Sequence, residues 1–460
     1  MVVLLKIVQV ILALSLLVLF HEFGHYTFAK LFKTRVEKFY LFFNPKFSIV
    51  KFKRFGGKWH CKFFSSNDDE EWNAHPENTE YGIGWLPFGG YCKIAGMIDE
   101  SMDTEAMKLP PQPYEFRTKP AWQRFFIMFG GVLFNFILAI ILYAAILHTW
   151  GEEYLRNENA VYGIAVNDLS YEIGFRDGDR ILAFDGVPTE NFSNLQVDLV
   201  RSQAHEATVL RDGDTITVSI DPTYIPAMLN TPGMFDLAFP FVVKEVQPES
   251  PNVDAGLEPG DALVGIDGQP MFIVQQIQRE LKEHKGAGIE ASIDRAGTGL
   301  ELPLQVDTAG RIGVMLETDL NNWFEVTTRE YSALSAIPAG ARKTWVTIKG
   351  YVQELGLIFS PKTQAYKSVG SFIAIGRIFP DTWDWYKFWT LCALLSIMLG
   401  VMNLLPIPAL DGGHILFLIF EMITGRRPSD KFMEVAEWIG MALLILLMVL
   451  AFGNDIRSLF

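Results

Sequence analysis

Residues 17–30 read LVLFHEFGHYTFAK, which sets two histidines and a glutamate at the end of an apolar run. Residues 2–20 carry a single charge, Lys6. A helix over that run, at about 1.5 Å per residue, is long enough to cross about 30 Å of hydrocarbon. Ionisable side chains at membrane depth cost free energy and are kept for function, so one stretch demands both a bilayer and a reason for polarity inside it. On a helix His21 and His25 share a face and can offer both imidazoles to one metal ion. Glu22 lies at the adjoining edge, where zinc hydrolases hold the general base for a metal-activated water. A secretory signal peptide also begins with a lysine and an apolar core, but here HEFGH stands where a small-residue cleavage site belongs.

The chain of 460 residues is 50% hydrophobic and 13% aromatic with 20% charged residues, too apolar for an ordinary soluble protein and too charged to lie wholly in a membrane. Three further stretches have spanning character, Phe125 to Leu147, Trp385 to Leu405 and Trp438 to Phe452, which makes four spans. Lysines and arginines crowd the connection from Tyr26 to Ala121, beginning with Lys30, Lys33, Arg35 and Lys38, and recur at Arg426, Arg427 and Lys431. Both connections are therefore expected on the cytoplasmic side, with the termini and residues 151–383 opposite. Residues 151–383 hold 33 Asp and Glu against 18 Lys and Arg, so their net −15 accounts for the chain's formal −14. That acidity excludes nucleic acid as a partner and tight docking of this block on anionic headgroups. The three cysteines, Cys61, Cys92 and Cys392, lie outside the block, and no disulfide framework is implied.

The acidic block repeats itself. IGFRDGDRILAFDGVP (173–188) lies over AGLEPGDALVGIDGQP (255–270) at a constant offset of 82, too long for a solenoid unit and suited to two small tandem domains. A helix-end glycine, a GD turn, a strand and a DG hairpin turn give a grammar that resembles the PDZ domain. Ahead of this block, VEKFYLFF and KFSIVKFKRF alternate with period two around the Asn44–Pro45 turn signal and read as strands of a β-hairpin element. YGIGWLPFGGYCKIAGM (81–97) mixes strand formers with Gly82, Gly84, Gly89 and Gly90, a sign that another backbone comes close. After the block, Trp345, Ile348, Val352 and Leu355 at helical spacing mark either an interfacial amphipathic helix or one packed on the second repeat.

A third metal ligand must come from elsewhere, and MNLLPIPALDGGH (402–414) supplies the other constellation of this kind. Asp411 and His414 both qualify, and spacing alone leaves the choice open. Pro406 and Pro408 break the backbone, which is tolerated at membrane depth only against protein or a wet cavity; a substrate's peptide backbone fits that need.

HEFGH, the GxxxN stretch from Gly131 to Asn135, NLLPIPALDGG (403–413) and two PDZ-like copies together resemble the site-2 protease family of intramembrane zinc metalloproteases, in its regulator of sigma-E protease branch, over nearly the whole chain. The resemblance implies Zn2+ as cofactor, His21, His25 and Asp411 as its ligands, Glu22 as catalytic base, Asn403 as a substrate-holding residue, and GWLPFGGY as a membrane-associated β-loop that binds substrate as an added strand. Two features depart from the pattern or fall outside it. Ser371 stands in KSVGSFIAIGR where the resemblance expects proline, and His60–Cys61 with Cys92 fit no metal-ligand spacing.

The expected fold is thus a polytopic α-helical membrane protein with four transmembrane helices, membrane-associated β-hairpin elements and two tandem α+β PDZ domains. Its expected divisions are 1–31 with HEFGH, 32–121 as the β region, 122–150, PDZ domains at 151–225 and 226–310, an amphipathic region at 311–383, 384–424 with the proline-rich motif, and 433–455. The expected function is intramembrane proteolysis of membrane-protein substrates, anti-sigma factor stubs and signal-peptide remnants, in a bacterial inner membrane. The active site is expected near the cytoplasm and the PDZ domains in the periplasm as a size filter. A catalytically inert PDZ adaptor and a metal transporter are the rival classes. The adaptor is disfavoured by intact His21, Glu22, His25 and Asp411, and the transporter by the lack of an evident pore or inverted repeat.

Overall fold

The structure, a computed structural model, describes residues 2–66, 70–97, 110–360, 363, 365 and 370–457. Its principal helices are α1 (Val2–Leu31), α2 (Ala121–Trp150), α3 (Ala333–Phe359), α4 (Trp385–Leu404), α5 (Asp411–Thr424) and α6 (Asp430–Arg457). Among the described residues, α1, α2, α4 and α6 are long and apolar enough to cross a membrane. Every residue from Ile445 to Leu450 on α6 is exposed, an aliphatic surface on all sides that suits lipid and not water. The chain forms two compact units, one from 1–151, 330–355 and 369–460, the other from 152–329 and 356–368.

Helices of the first unit meet through bare backbone. A Cβ on Gly130 of α2 would lie 2.6 Å from the Gly24 carbonyl oxygen of α1, so these two glycines set how closely the helices approach. On α3 the buried face is Ala336, Gly340 and Thr344, four residues apart, and Gly340 sits against Ile140 and Ala144 of α2. Of the apolar stripe, Trp345 and Val352 are exposed and Leu355 is buried. Small residues win the contact because they let two backbones touch.

The expected strands, joined by one the sequence reading did not single out, β3, form a five-stranded sheet of β1 (Val36–Phe43), β2 (Phe47–Phe55), β3 (Lys58–Ser66), β4 (Glu80–Ile83) and β5 (Leu86–Ile94), in the order β3-β2-β4-β1-β5. The strands flanking Asn44–Pro45 do not pair as a hairpin. β4 lies between them, parallel to β1 and antiparallel to β2. A polar knot holds it there, with Tyr40 Oη donating to Glu80 at 2.6 Å and lying 3.0 Å from Ser48 Oγ. The local hairpin is β2–β3, turned at Gly56 and Gly57, both at positive φ. β5 is an edge strand, and its Gly90 lies against Val18 of α1, one turn before His21.

In the second unit the two sequence repeats become two similar folds. Strand Arg180–Phe184 pairs with Val187–Pro188 and Glu206–Arg211, and strand Ala262–Ile266 pairs with Gln269–Pro270 and Gly288–Arg295. Asp185–Gly186 and Asp267–Gly268, each with both φ positive, form the tight turns that Asp-Gly favours. Phe175, Ile181 and Leu199 fill the first core, and Phe241, Leu263 and Ile277 the second. Phe235–Leu237, past the expected boundary at 225, pairs with Ile164–Val166, and Val314–Leu316, past 310, pairs with Phe241–Val246. Each repeat is closed by a late strand returning to its first one. Glu152–Leu155 pairs antiparallel with Val326–Arg329, so the segment leaves and returns at one place.

Ser371 precedes the helix Phe372–Ile378 and explains its own departure from proline. Its N–H, which proline lacks, donates to Asp455 Oδ2 at 2.9 Å. Residues 367–369 of that motif lie outside the described residues. His60 stacks on Phe55 at 3.8 Å between ring centroids, and none of the three cysteines is in a disulfide.

Candidate metal centre

α1 places His21 and His25 one turn apart with their Nε2 atoms 3.3 Å from each other. The chain leaves α4 at Leu404, runs irregularly through Pro406 and Pro408, passes Ala409 at a φ of 78°, and begins α5 at Asp411. Asp411 Oδ2 then stands 3.3 Å from His21 Nε2 and 3.4 Å from His25 Nε2. Among the described residues these three form the one group of His, Cys, Asp or Glu positioned to hold a metal ion.

The triangle of ligand atoms has a specific size. Tetrahedral zinc with ligands at about 2.0–2.1 Å separates any two of them by about 3.3–3.4 Å. Asp411 Oδ2 is buried and has no hydrogen-bond partner, as expected of a carboxylate oxygen facing a cation. His25 Nδ1 lies 2.9 Å from the Ile127 carbonyl, which can only accept, so the ring proton is on Nδ1 and Nε2 turns its lone pair inward. His21 Nδ1 faces the Asn135 amide at 3.2 Å. The donor set of two imidazoles and one carboxylate suits zinc with an open fourth position.

Glycines make the convergence sterically feasible. A Cβ on Gly131 of α2 would clash with His25 Nε2 and lie 2.6 Å from His21 Cε1. A Cβ on Gly413 would lie 2.6 Å from the Ile407 carbonyl oxygen, and one on Gly412 would clash with the Leu405 carbonyl, so the proline-rich stretch folds back over the start of α5. Gly440 of α6 in turn accommodates the Pro408 backbone.

The other sequence-derived candidates are placed as follows. Glu22 is half-buried beside His21 on α1. His414 turns toward Glu437 of α6, 3.8 Å away, and lies outside the ligand triangle. Asn403 is half-buried on the last turn of α4, Pro406 is exposed and Pro408 half-buried. Gly84 follows β4 with its Cα against the backbone of Phe42 and Phe43, while Gly89 and Gly90 lie on β5. Two contributors were given no role by the sequence reading. Arg124 of α2 pairs with Glu421 of α5 at 2.5 Å, tying the helix that begins with Asp411 to the helix that carries Gly131. The i, i+4 spacing of Gly131 and Asn135 was the visible signal for the second, the amide at His21.

Peptidase family M50 matches the chain over residues 9–65 and 71–447. The regulator of sigma-E protease RseP of Salmonella typhimurium is 29% identical over 480 residues, and that of Escherichia coli 28% over 473, each match covering 98% of both chains. A Ralstonia nicotianae protein whose name describes a zinc metalloprotease is 28% identical over 483 residues, covering 99% of both. A solved PDZ domain of an SdrC-like protein from Listeria monocytogenes covers 17% of this chain and 90% of its own, at 23% identity and a TM-score of 0.16.

Proposed function

The chain belongs to peptidase family M50, and from that membership we propose that it cuts transmembrane segments of other proteins at a zinc held by His21, His25 and Asp411. It is an intramembrane zinc metalloprotease. The observation that carries the ligand assignment is the triangle of three atoms, 3.3–3.4 Å on each side, with an unpartnered carboxylate oxygen at one corner.

Zinc, when bound, activates a water molecule and polarises the scissile carbonyl. Glu22 takes the proton from the attacking water and delivers it to the departing amine nitrogen. Peptide bonds within a helix are shielded by their own hydrogen bonds, so the substrate must be unwound and its freed N–H and C=O groups met by protein. The open edge of β5, the strand that carries Gly89 and Gly90, receives it as an added strand, while Gly84 lets β4 close onto the backbone of Phe42 and Phe43. Asn403 and the irregular backbone around Pro406 and Pro408 hold the other side of the unwound segment. The lysines and arginines that follow α1 set this chemistry near the cytoplasmic face of a bacterial inner membrane. The repeats are two periplasmic PDZ domains that exclude large exported domains. The names of the sigma-E relatives fit substrates that are stubs of membrane-bound anti-sigma factors, with signal-peptide remnants as a second group.

Glu22→Gln keeps the shape and removes the base, so this variant should retain zinc and fold yet fail to cleave a reporter transmembrane segment in vesicles. Turnover at the wild-type rate would remove Glu22 from the chemistry. The filter has its own test. Because Leu155 pairs with Val326, a short turn joining those two residues can replace the repeats. That protein should cut short stubs as before and should gain cleavage of substrates with intact exported domains; continued refusal of such substrates would end the filter reading.

A further inference from the structure

His21 poses a problem that His25 does not. Both direct Nε2 at Asp411, and each can be a ligand through Nε2 only if its ring proton sits on Nδ1. For His25 the Ile127 carbonyl enforces this. Among the described residues, the one polar group within hydrogen-bonding distance of His21 Nδ1 is the side-chain amide of Asn135, which is fully buried. Its Nδ2 stands 3.2 Å from Nδ1, while its Oδ1 is buried without a partner. An amide N–H aimed at Nδ1 requires a lone pair there and drives the ring proton to Nε2, which would cost the site a ligand. A half-turn of the near-isosteric amide brings Oδ1 to Nδ1–H and moves the unpartnered position to the amide nitrogen, so the choice between the two orientations falls to the lone pair that ligation needs on Nε2.

We infer that Asn135 is the positioning residue that sets the tautomer of His21, its Oδ1 accepting from Nδ1–H so that Nε2 is left as the ligand atom. The surroundings hold the amide in place for this task. Ser396 of α4, fully buried, donates through Oγ to the Asn135 backbone carbonyl at 2.8 Å and anchors that turn of α2. One turn earlier, Gly131 has no side chain, and a Cβ there would lie 2.9 Å from His21 Nδ1. The spacing of Gly131 and Asn135 thereby acquires a physical reason: the bare position admits the imidazoles, and the amide four residues on reaches the ring from the same helix face. Outer-shell acceptors of this kind hold a ligating histidine in orientation and raise its basicity.

The inference rests on the proposed ligation of zinc by His21, and the experiment separates the two. Zinc affinity of the full chain in nanodiscs is measured by competition with a chromophoric chelator, and the ligand field by visible absorption after cobalt substitution. Asn135→Leu, similar in size and without an acceptor, should weaken zinc by about 10–100-fold and alter the cobalt spectrum. Asn135→Asp should bind zinc at least as tightly as wild type, because a carboxylate accepts from Nδ1–H even better. A purely structural role for Asn135 gives the opposite order, since a new charge among apolar helices harms packing more than leucine does. Wild-type affinity in Asn135→Leu, or Asn135→Asp no tighter than Asn135→Leu, would overturn the inference while loss of zinc in His21→Ala leaves the ligand assignment standing. Unchanged zinc in His21→Ala would overturn the assignment itself and this inference with it.

Discussion

Asp261 and Asp411 are both enclosed carboxylates, and what faces each of them differs completely. Asp261, fully buried in the second repeat, is gripped by Arg295 at 2.7 and 2.8 Å and accepts the Glu258 backbone N–H at 2.8 Å. The Arg295 guanidinium holds its carboxyl below the usual range. Asp179 of the first repeat has the same clamp from Arg211 and the same backbone donor, Arg176 N–H. Asp411, with its side chain 14% exposed, faces two imidazole nitrogens, one of them certain to offer a lone pair, and its inner oxygen has no hydrogen bond at all. A buried carboxylate that is fully clamped by its own chain serves the fold. One that shares an empty-handed oxygen with other lone pairs is built for a cation.

Substitutions can break this contrast on either side. The largest effect is expected at Gly131, where even one methyl group collides with Nε2 of His25. Gly131→Ala should abolish stoichiometric zinc binding and proteolysis in the same membranes, read as metal content per purified chain; a variant that keeps one zinc would show that the imidazoles are not held as tightly as described. A smaller and different effect is expected at Asp261. Asp261→Ala leaves Arg295 with the Glu258 carboxylate and the Gly256 carbonyl but strands the Glu258 N–H, which should destabilise the second repeat by about 1–3 kcal/mol, the cost of a donor left without its acceptor. Faster amide hydrogen exchange confined to residues of that repeat, with zinc content unchanged, is the expected result. Loss of zinc in Asp261→Ala would erase the division between structural and metal-facing carboxylates.

Much of the centre could be read from short-range pattern. The i, i+4 spacing in HEFGH puts two imidazoles on one helix face, and prolines followed by Asp-Gly-Gly announce an irregular chain that returns to a helix start. The offset of 82 carried the repeat as far as Asp179 and Asp261, because turn glycines mark both copies at fixed spacing. It did not carry the clamps, since Arg211 and Arg295 lie 84 residues apart and belong to strands that turn residues do not index. Nor did it show the closing strand of each repeat, because pairing of Phe235–Leu237 with Ile164–Val166 is set by tertiary packing. The insertion of β4 between β1 and β2 was hidden for the same reason: a parallel neighbour arrives from some forty residues away, Lys38 pairing with Glu80. Helix packing through Ala336, Gly340 and Thr344 escaped notice because hydrophobic periodicity weights large side chains, whereas close helix contact selects small ones.

The central claim is that Asp411, rather than His414, completes the zinc site with His21 and His25. Its most direct test is zinc stoichiometry of the purified full chain after brief chelation, compared between Asp411→Asn and His414→Ala. An amide oxygen is a weaker ligand than a carboxylate and brings no negative charge to offset the metal, so Asp411→Asn should lose most of its zinc, while His414→Ala should retain one equivalent. Zinc retained by Asp411→Asn and lost by His414→Ala would contradict the account and move the third ligand to His414.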